Sequence, residues 1–192
     1  MPALPKTSDA AIVRAARSLI EQAREDFSMA AVAAAVGVRT PSLYKRFADR
    51  EALLASVRRD AYAALRAAIV AGAGTCRGTE RVRAMAFAYR AFALEHPRLY
   101  ALLFSHEERP DAATQEARLE AALPALDALR ELTGDDALRA ARTLTAFLHG
   151  HVTMVSAGAF KLGGDVDAAF IYGLDRLLAG ITAPPARDEE RA

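Results

Sequence analysis

Residues 28–47, SMAAVAAAVGVRTPSLYKRF, read as two short helices joined by a tight turn. Ser28 stands where an N-cap belongs, and Met29, Val32, Ala33 and Val36 recur at the spacing of one helical face, predicting a helix over 29–36. Gly37 supplies the left-handed backbone that a tight turn requires. Thr40 as N-cap and Pro41 at the first helical position then open a second helix, each residue being favoured at that place. Leu43 and Phe47 take the inward positions, which leaves Arg39, Thr40, Ser42, Tyr44, Lys45 and Arg46 outside. Small Ala33 and Gly37 let the two helices cross closely at a wide angle, the layout of a DNA-reading helix-turn-helix.

An αα-hairpin with a solvated charged face is the plainer reading of the same segment. Three details weigh against it. The exposed set begins at the N-terminus of the second helix, where unpaired N–H groups and the helix dipole favour a phosphate. Tyr44 is a large aromatic left outside although the inward places are filled. No acid occurs between Ser28 and Ala48, in a chain holding 25 Lys+Arg and 24 Asp+Glu.

The totals set the frame for that segment. At 192 residues the chain can form one or two small domains with a real core. An apolar content of 53%, rich in alanine, favours a mostly helical protein. A net charge of +1 excludes a protein that coats nucleic acid through bulk basicity, so DNA affinity must come from local placement. Ten bases against seven acids give residues 1–60 a charge of +3. The single cysteine, Cys76, excludes an intrachain disulfide. No apolar run approaches the ~20 residues of a membrane span, and MPALPKTSDAA has no hydrophobic signal core. A cytoplasmic protein is expected.

Working outward, a helix is predicted from Asp9 to about Glu25, capped by Ser8 or Asp9 and apolar at Ile12, Ala16, Leu19, Ile20 and Ala23. Asp49 caps a long fourth helix to about Val70, with Arg50 in its first turn within reach of a phosphate. AGAGTCRGT, residues 71–79, is the predicted connection. Helices follow from Thr79 to about Glu95, over the short apolar run 99–104 beyond Pro97, and from about Ala113 to Leu132 with a bend at Pro124. SHEERPDAA, 105–113, reads as a polar loop. Two further helices span about 136–160 and, capped by Asp165, to about Gly180. The fold class is all-α. A three-helix, helix-turn-helix DNA-binding head (1–56) is linked by a long fourth helix to a helical ligand-binding and dimerisation bundle (57–183), with a disordered tail (184–192).

The last two long helices carry apolar residues around much of their circumference, including Leu138, Leu144, Phe147 and Met154 on one and Phe170, Leu174 and Leu178 on the other. A helix apolar nearly all round must be covered on two sides. A thick monomer core is one solution. The more economical one is a homodimer in which these helices pair with their copies as a four-helix bundle, with Gly150, Gly158 and Gly173 allowing close approach. Such a dimer would read two half-sites of a palindrome about one DNA turn, ~34 Å, or a multiple apart.

The segment FSMAAVAAAVGVRTPSLYKRFADREALLASV resembles the N-terminal domain of TetR-type transcriptional regulators. The likeness rests on Gly37-Val38, on Leu43, Tyr44 and Phe47, and on Glu51 to Leu54. EHPRLYALLF (95–104) and FLHGHVTMVSAGAF (147–160) resemble the C-terminal ligand-binding domain called WHG, with Phe147 where that subgroup usually has tryptophan. The resemblance implies a dimer on double-stranded operator DNA, usually a repressor, released by a small-molecule effector. By the same resemblance Arg39, Thr40, Pro41 and Ser42 approach base edges and backbone, Tyr44 and Lys45 contact phosphates or bases, and Ser28 and Arg50 flank them on phosphates. Pro41 replaces the family's common glycine and offers an apolar contact, such as a thymine methyl. With only Lys6 before the first helix, the basic arm of many relatives is nearly absent.

For the effector, Tyr89, Phe92, Tyr100, Phe104, Phe147, His149 and Met154 are the candidate lining residues, each equally readable as plain core. His149 and His151, two apart on a helix, point about 200° from each other and cannot share a metal. His106 with Glu107 and Glu108 reads as solvated loop, and Cys76 as an inert loop thiol. No phosphate-binding glycine loop, nucleophile elbow or paired-carboxylate site is present, so neither an enzyme nor a cofactor is expected. A helical dimeric sensor or protein-interaction module that reads no DNA is the alternative reading.

Overall fold

The computed structural model describes residues 7–22, 27–105 and 111–183, and no strand occurs among them. The helices are α1 (Asp9–Glu21), α2 (Met29–Ala35), α3 (Thr40–Tyr44), α4 (Arg50–Ala73), α5 (Gly78–Glu95), α6 (Pro97–Phe104), α7 (Ala112–Thr133), α8 (Ala137–Ser156) and α9 (Val166–Thr182), with a 3-10 turn at Gly134–Asp136. The fold is all-helical, with a helix-turn-helix near its N-terminus. The expected continuation of the first helix to Glu25, the arm at Lys6, the loop around His106 to Glu108 and the tail from 184 lie outside the described residues.

Caps set most of the observed starts. The Ser8 hydroxyl accepts the Ala11 N–H at 3.2 Å, and the Ser28 hydroxyl accepts the Ala31 N–H at 3.1 Å. Asp49 accepts the Ala52 N–H at 2.8 Å at the head of α4. Asp165 accepts from both Asp167 and Ala168 at the head of α9. Each satisfies a donor that has no partner inside its helix. Asp111 does the same for α7, and this bond from the Thr114 backbone holds its carboxyl below the usual range.

Two boundaries differ from the sequence expectation. Arg39, not Thr40, is the N-cap of α3, and its side chain makes no capping bond. Proline fits anywhere in a first turn, because the N–H it lacks would have no intrahelical partner, so Pro41 does not fix the start to one residue. The fourth helix runs through the first part of AGAGTCRGT to Ala73. A Cβ on Gly72 would clash with the Ala88 Cβ. This glycine is therefore a close approach between α4 and α5 and not a break.

Packing divides the described residues into two compact units, one within 1–68 and 92–122, the other within 69–91 and 123–192. In the first, Ile12, Val32, Leu43, Leu53, Val57 and Leu99 are fully buried. The Tyr62 hydroxyl there donates to the Leu103 carbonyl at 2.8 Å and accepts from Arg118 Nε at 3.0 Å. In the second, Val82, Leu129, Val152, Phe170 and Leu174 form the buried centre. Gly173 receives the Phe147 ring of its own chain, since a Cβ there would lie 2.8 Å from Phe147 Cε2. Gly158, at φ +58°, ends α8 in a left-handed turn. Both glycines thus have work within the chain, whereas Gly150 faces open space.

Candidate nucleic-acid interface

The reading helix is seated by its neighbours. Gly37 at φ +68° reverses the chain after α2, and the Val38 N–H donates back to the Ala33 carbonyl at 2.9 Å. That closed turn delivers α3 with Leu43 and Phe47 buried beneath it. Arg39, Pro41, Ser42, Tyr44 and Lys45 are exposed on the other side, and Thr40 is half-buried. Tyr44 keeps 51% of its surface in water. Arg39 and Lys45 make no ion pair with any described residue, so two cations and a phenol are presented together on a segment whose own sequence holds no acid.

The flanking cations behave differently. Arg46 is paired with Asp9 and fastens the end of α3 to the start of α1. Arg50 donates from Nε to the Phe27 carbonyl at 3.4 Å, pairs with Glu51 at 3.1 Å and lies 5.1 Å over the Phe27 ring. It is exposed but locally engaged. Ser28 is half-buried, its hydroxyl occupied by the cap. Further ties hold α1 to the rest of this unit: Arg17 to Asp60 at 3.1 Å, His96 Nδ1 to Glu21 at 2.9 Å and Arg98 to the Glu21 carbonyl at 3.2 Å.

The seven effector candidates are divided between the two units. Phe92 and Tyr100 are buried in the first unit, where Tyr100 packs on exposed Phe104. Tyr89 is buried in the second unit, where Met154 is exposed and Phe147 and His149 are half-buried. A cleft of about 400 Å³ beside the end of α7, lined by Leu126, Arg130 and Leu138 among others, contains none of the seven.

Sequence reasoning missed a different cluster. Fully buried Phe170 meets Phe87 edge-on at 5.4 Å, Phe147 in a stack at 5.7 Å and the His151 ring at 4.9 Å. The Arg90 guanidinium lies 4.8 Å from the Phe170 centroid and pairs with Asp167. Burial, and after it the Arg90 charge, pushes the His151 imidazole below its ordinary value, with Asp167 opposing. The imidazole is therefore neutral in the fold at pH 7. Its stabilising contribution is complete above the ordinary value of 6.5 and is lost as pH falls through the depressed one. Urea midpoints are expected to fall as pH drops below the ordinary value of 6.5, with a shallower fall in His151→Phe.

An exposed, acid-free helix seated on a buried pair within a tight two-helix turn defines a helix-turn-helix protein. Residues 12–57 match the family model described as "Bacterial regulatory proteins, tetR family", and residues 82–177 match "Tetracyclin repressor-like, C-terminal domain". The chain belongs to the TetR family of DNA-binding transcriptional regulators, whose members are not enzymes. A comparison with curated protein sequences finds no match. Among solved structures, a protein of unknown function from Rhodococcus sp. RHA1 is similar over 94% of this chain and 100% of its own, at 26% identity and a TM-score of 0.81. A "possible TetR family transcriptional regulator" from Streptomyces coelicolor A3(2) is similar over 91% and 98%, at 25% identity and 0.67. A TetR variant from Acinetobacter baumannii AYE, in complex with minocycline, shares the fold over 93% and 96%, at 21% identity and 0.64. Among the described residues, no helix is long and apolar enough to cross a membrane.

Proposed function

We propose that the chain is a ligand-released repressor that acts in the cytoplasm as a homodimer on a palindromic operator. The observation that carries this reading is the surface of α3, where Arg39 and Lys45 pair with no described residue beside exposed Tyr44 over the buried Leu43–Phe47 seat. Arg39, Thr40, Pro41 and Ser42 meet base edges and backbone, Tyr44 and Lys45 add phosphate or base contacts, and Ser28 and Arg50 flank them. The dimer forms through α8 and α9, which leave Leu138, Met154, Ile171 and Tyr172 exposed on the single chain. The C-terminal domain is of the WHG kind, and an effector bound among its aromatic residues favours a conformation whose two reading helices no longer match successive half-sites. Selecting duplexes from a random pool should enrich inverted repeats. Enrichment of single half-sites, or of nothing at low salt, would overturn the reading.

A further inference from the structure

The geometry points to Arg90 and His151 as a carboxylate-binding pair, and to an effector that is a planar apolar molecule bearing one carboxylate. The inference rests on reading the chain as ligand-responsive. Two nitrogens in the Phe170 cluster, Arg90 Nε and His151 Nε2, are buried with no hydrogen-bond partner. Folded proteins rarely leave such groups unmatched, because a buried donor without an acceptor keeps its full desolvation cost. A position needing only packing against Phe147, Phe160 and Phe170 would hold another phenylalanine. Instead it holds a histidine that is only 8% exposed.

The chemistry of the two atoms selects the partner. Arg90 Nε can only donate. His151 Nε2 donates in its Nε2–H tautomer or when protonated, and the Arg90 charge acts on this imidazole. A carboxylate accepts from both and carries charge opposite to the guanidinium. Asp167, the present partner of Arg90, is 73% exposed in its side chain and can turn to water when a ligand takes its place. The other charged pair joining α5 to α9, Arg83 with Asp175, is already matched. Exposed Phe160 and half-buried Phe87 and Phe147 supply apolar faces suited to a flat ring system.

The test is fluorescence titration of the full chain, whose lack of tryptophan leaves little background. Probes are 2-naphthoate, indole-3-acetate and benzoate, the last read by displacement, each against its amide. At least one acid is expected to bind about tenfold or more tighter than its amide. His151→Phe and Arg90→Met should each bring that ratio near one. His151→Gln, of similar polarity, is the second variant should phenylalanine disturb the fold, and circular dichroism reports folding in each. Equal binding of every acid and amide, or no binding at all, overturns the pair. So does a preserved ratio in the folded variants, as expected if the two nitrogens merely hold ordered water. Release from a selected duplex is measured separately. An acid that binds without releasing DNA sinks the ligand-release reading and leaves the pair standing. Release by neutral amides alone does the reverse.

Discussion

Alanine at both Arg39 and Lys45 is expected to lower operator affinity by about three orders of magnitude near 0.1 M salt and to reduce the log–log salt slope by roughly 3.6. Each phosphate neutralised releases counterions worth a slope of about 0.9, and two cations on each head of a dimer make about four contacts. Both side chains are exposed and neither pairs with a described residue, so the fold should be untouched. Arg46→Ala is the informative contrast. It breaks the tie to Asp9 and should lower stability more than the salt slope. Anisotropy titrations of a selected duplex across a salt series separate these outcomes. An unchanged slope in the double variant would remove the assignment of α3 as the DNA contact.

The reading helix was legible because its determinants are local. Ser28, Gly37 and Pro41 act on backbone within a few residues, and Leu43 and Phe47 are recognisable as a buried pair from their spacing. Errors entered where a residue's job depends on a distant segment. Gly72 reads as a breaker until Ala88 is seen against it. Gly173 carries no local mark of the Phe147 ring that packs against it. The eighth helix was expected to reach Phe160, yet it stops at Ser156 because Gly158 takes a left-handed turn, with the Ala159 N–H donating to the Met154 carbonyl.

Charge on the site surface was legible by type and not by engagement. Arg39 and Arg46 are indistinguishable as members of an exposed basic set, but only the second meets an acid brought from the first helix. Arg50 is likewise exposed, and the ring and carbonyl of Phe27 that hold it come from a segment 23 residues earlier. The Arg90–His151 pair was the least readable. Arg90 meets Asp167 across 77 residues, and nothing in the local pattern of α5 marks one of its arginines as half-enclosed by aromatic rings. Histidine spacing excluded a shared metal site at 149 and 151, but it could not say which imidazole faces inward. His151 does, with Val152 beside it in the core.

Phe170→Ala is expected to cost about 3–5 kcal/mol, the largest single loss of stability in the second unit. The side chain has no exposed surface, and three aromatic rings and a guanidinium converge on it. Its loss leaves a cavity that Phe87 and Phe147 cannot jointly collapse, because Phe147 is seated against Gly173. It also opens the surroundings of Arg90 and His151 to water, which hydrates both unmatched nitrogens and offsets part of the cost. Phe170→Leu, which keeps most of the apolar volume, should cost clearly less. Tyr172→Ala, two residues on and 67% exposed, should change the stability of the single chain by less than about 0.5 kcal/mol. Urea unfolding followed by circular dichroism measures all three. If Phe170→Ala and Tyr172→Ala prove equally mild, the aromatic cluster does not belong to the cooperative core, and neither the pH dependence assigned to His151 nor its part in ligand recognition can stand.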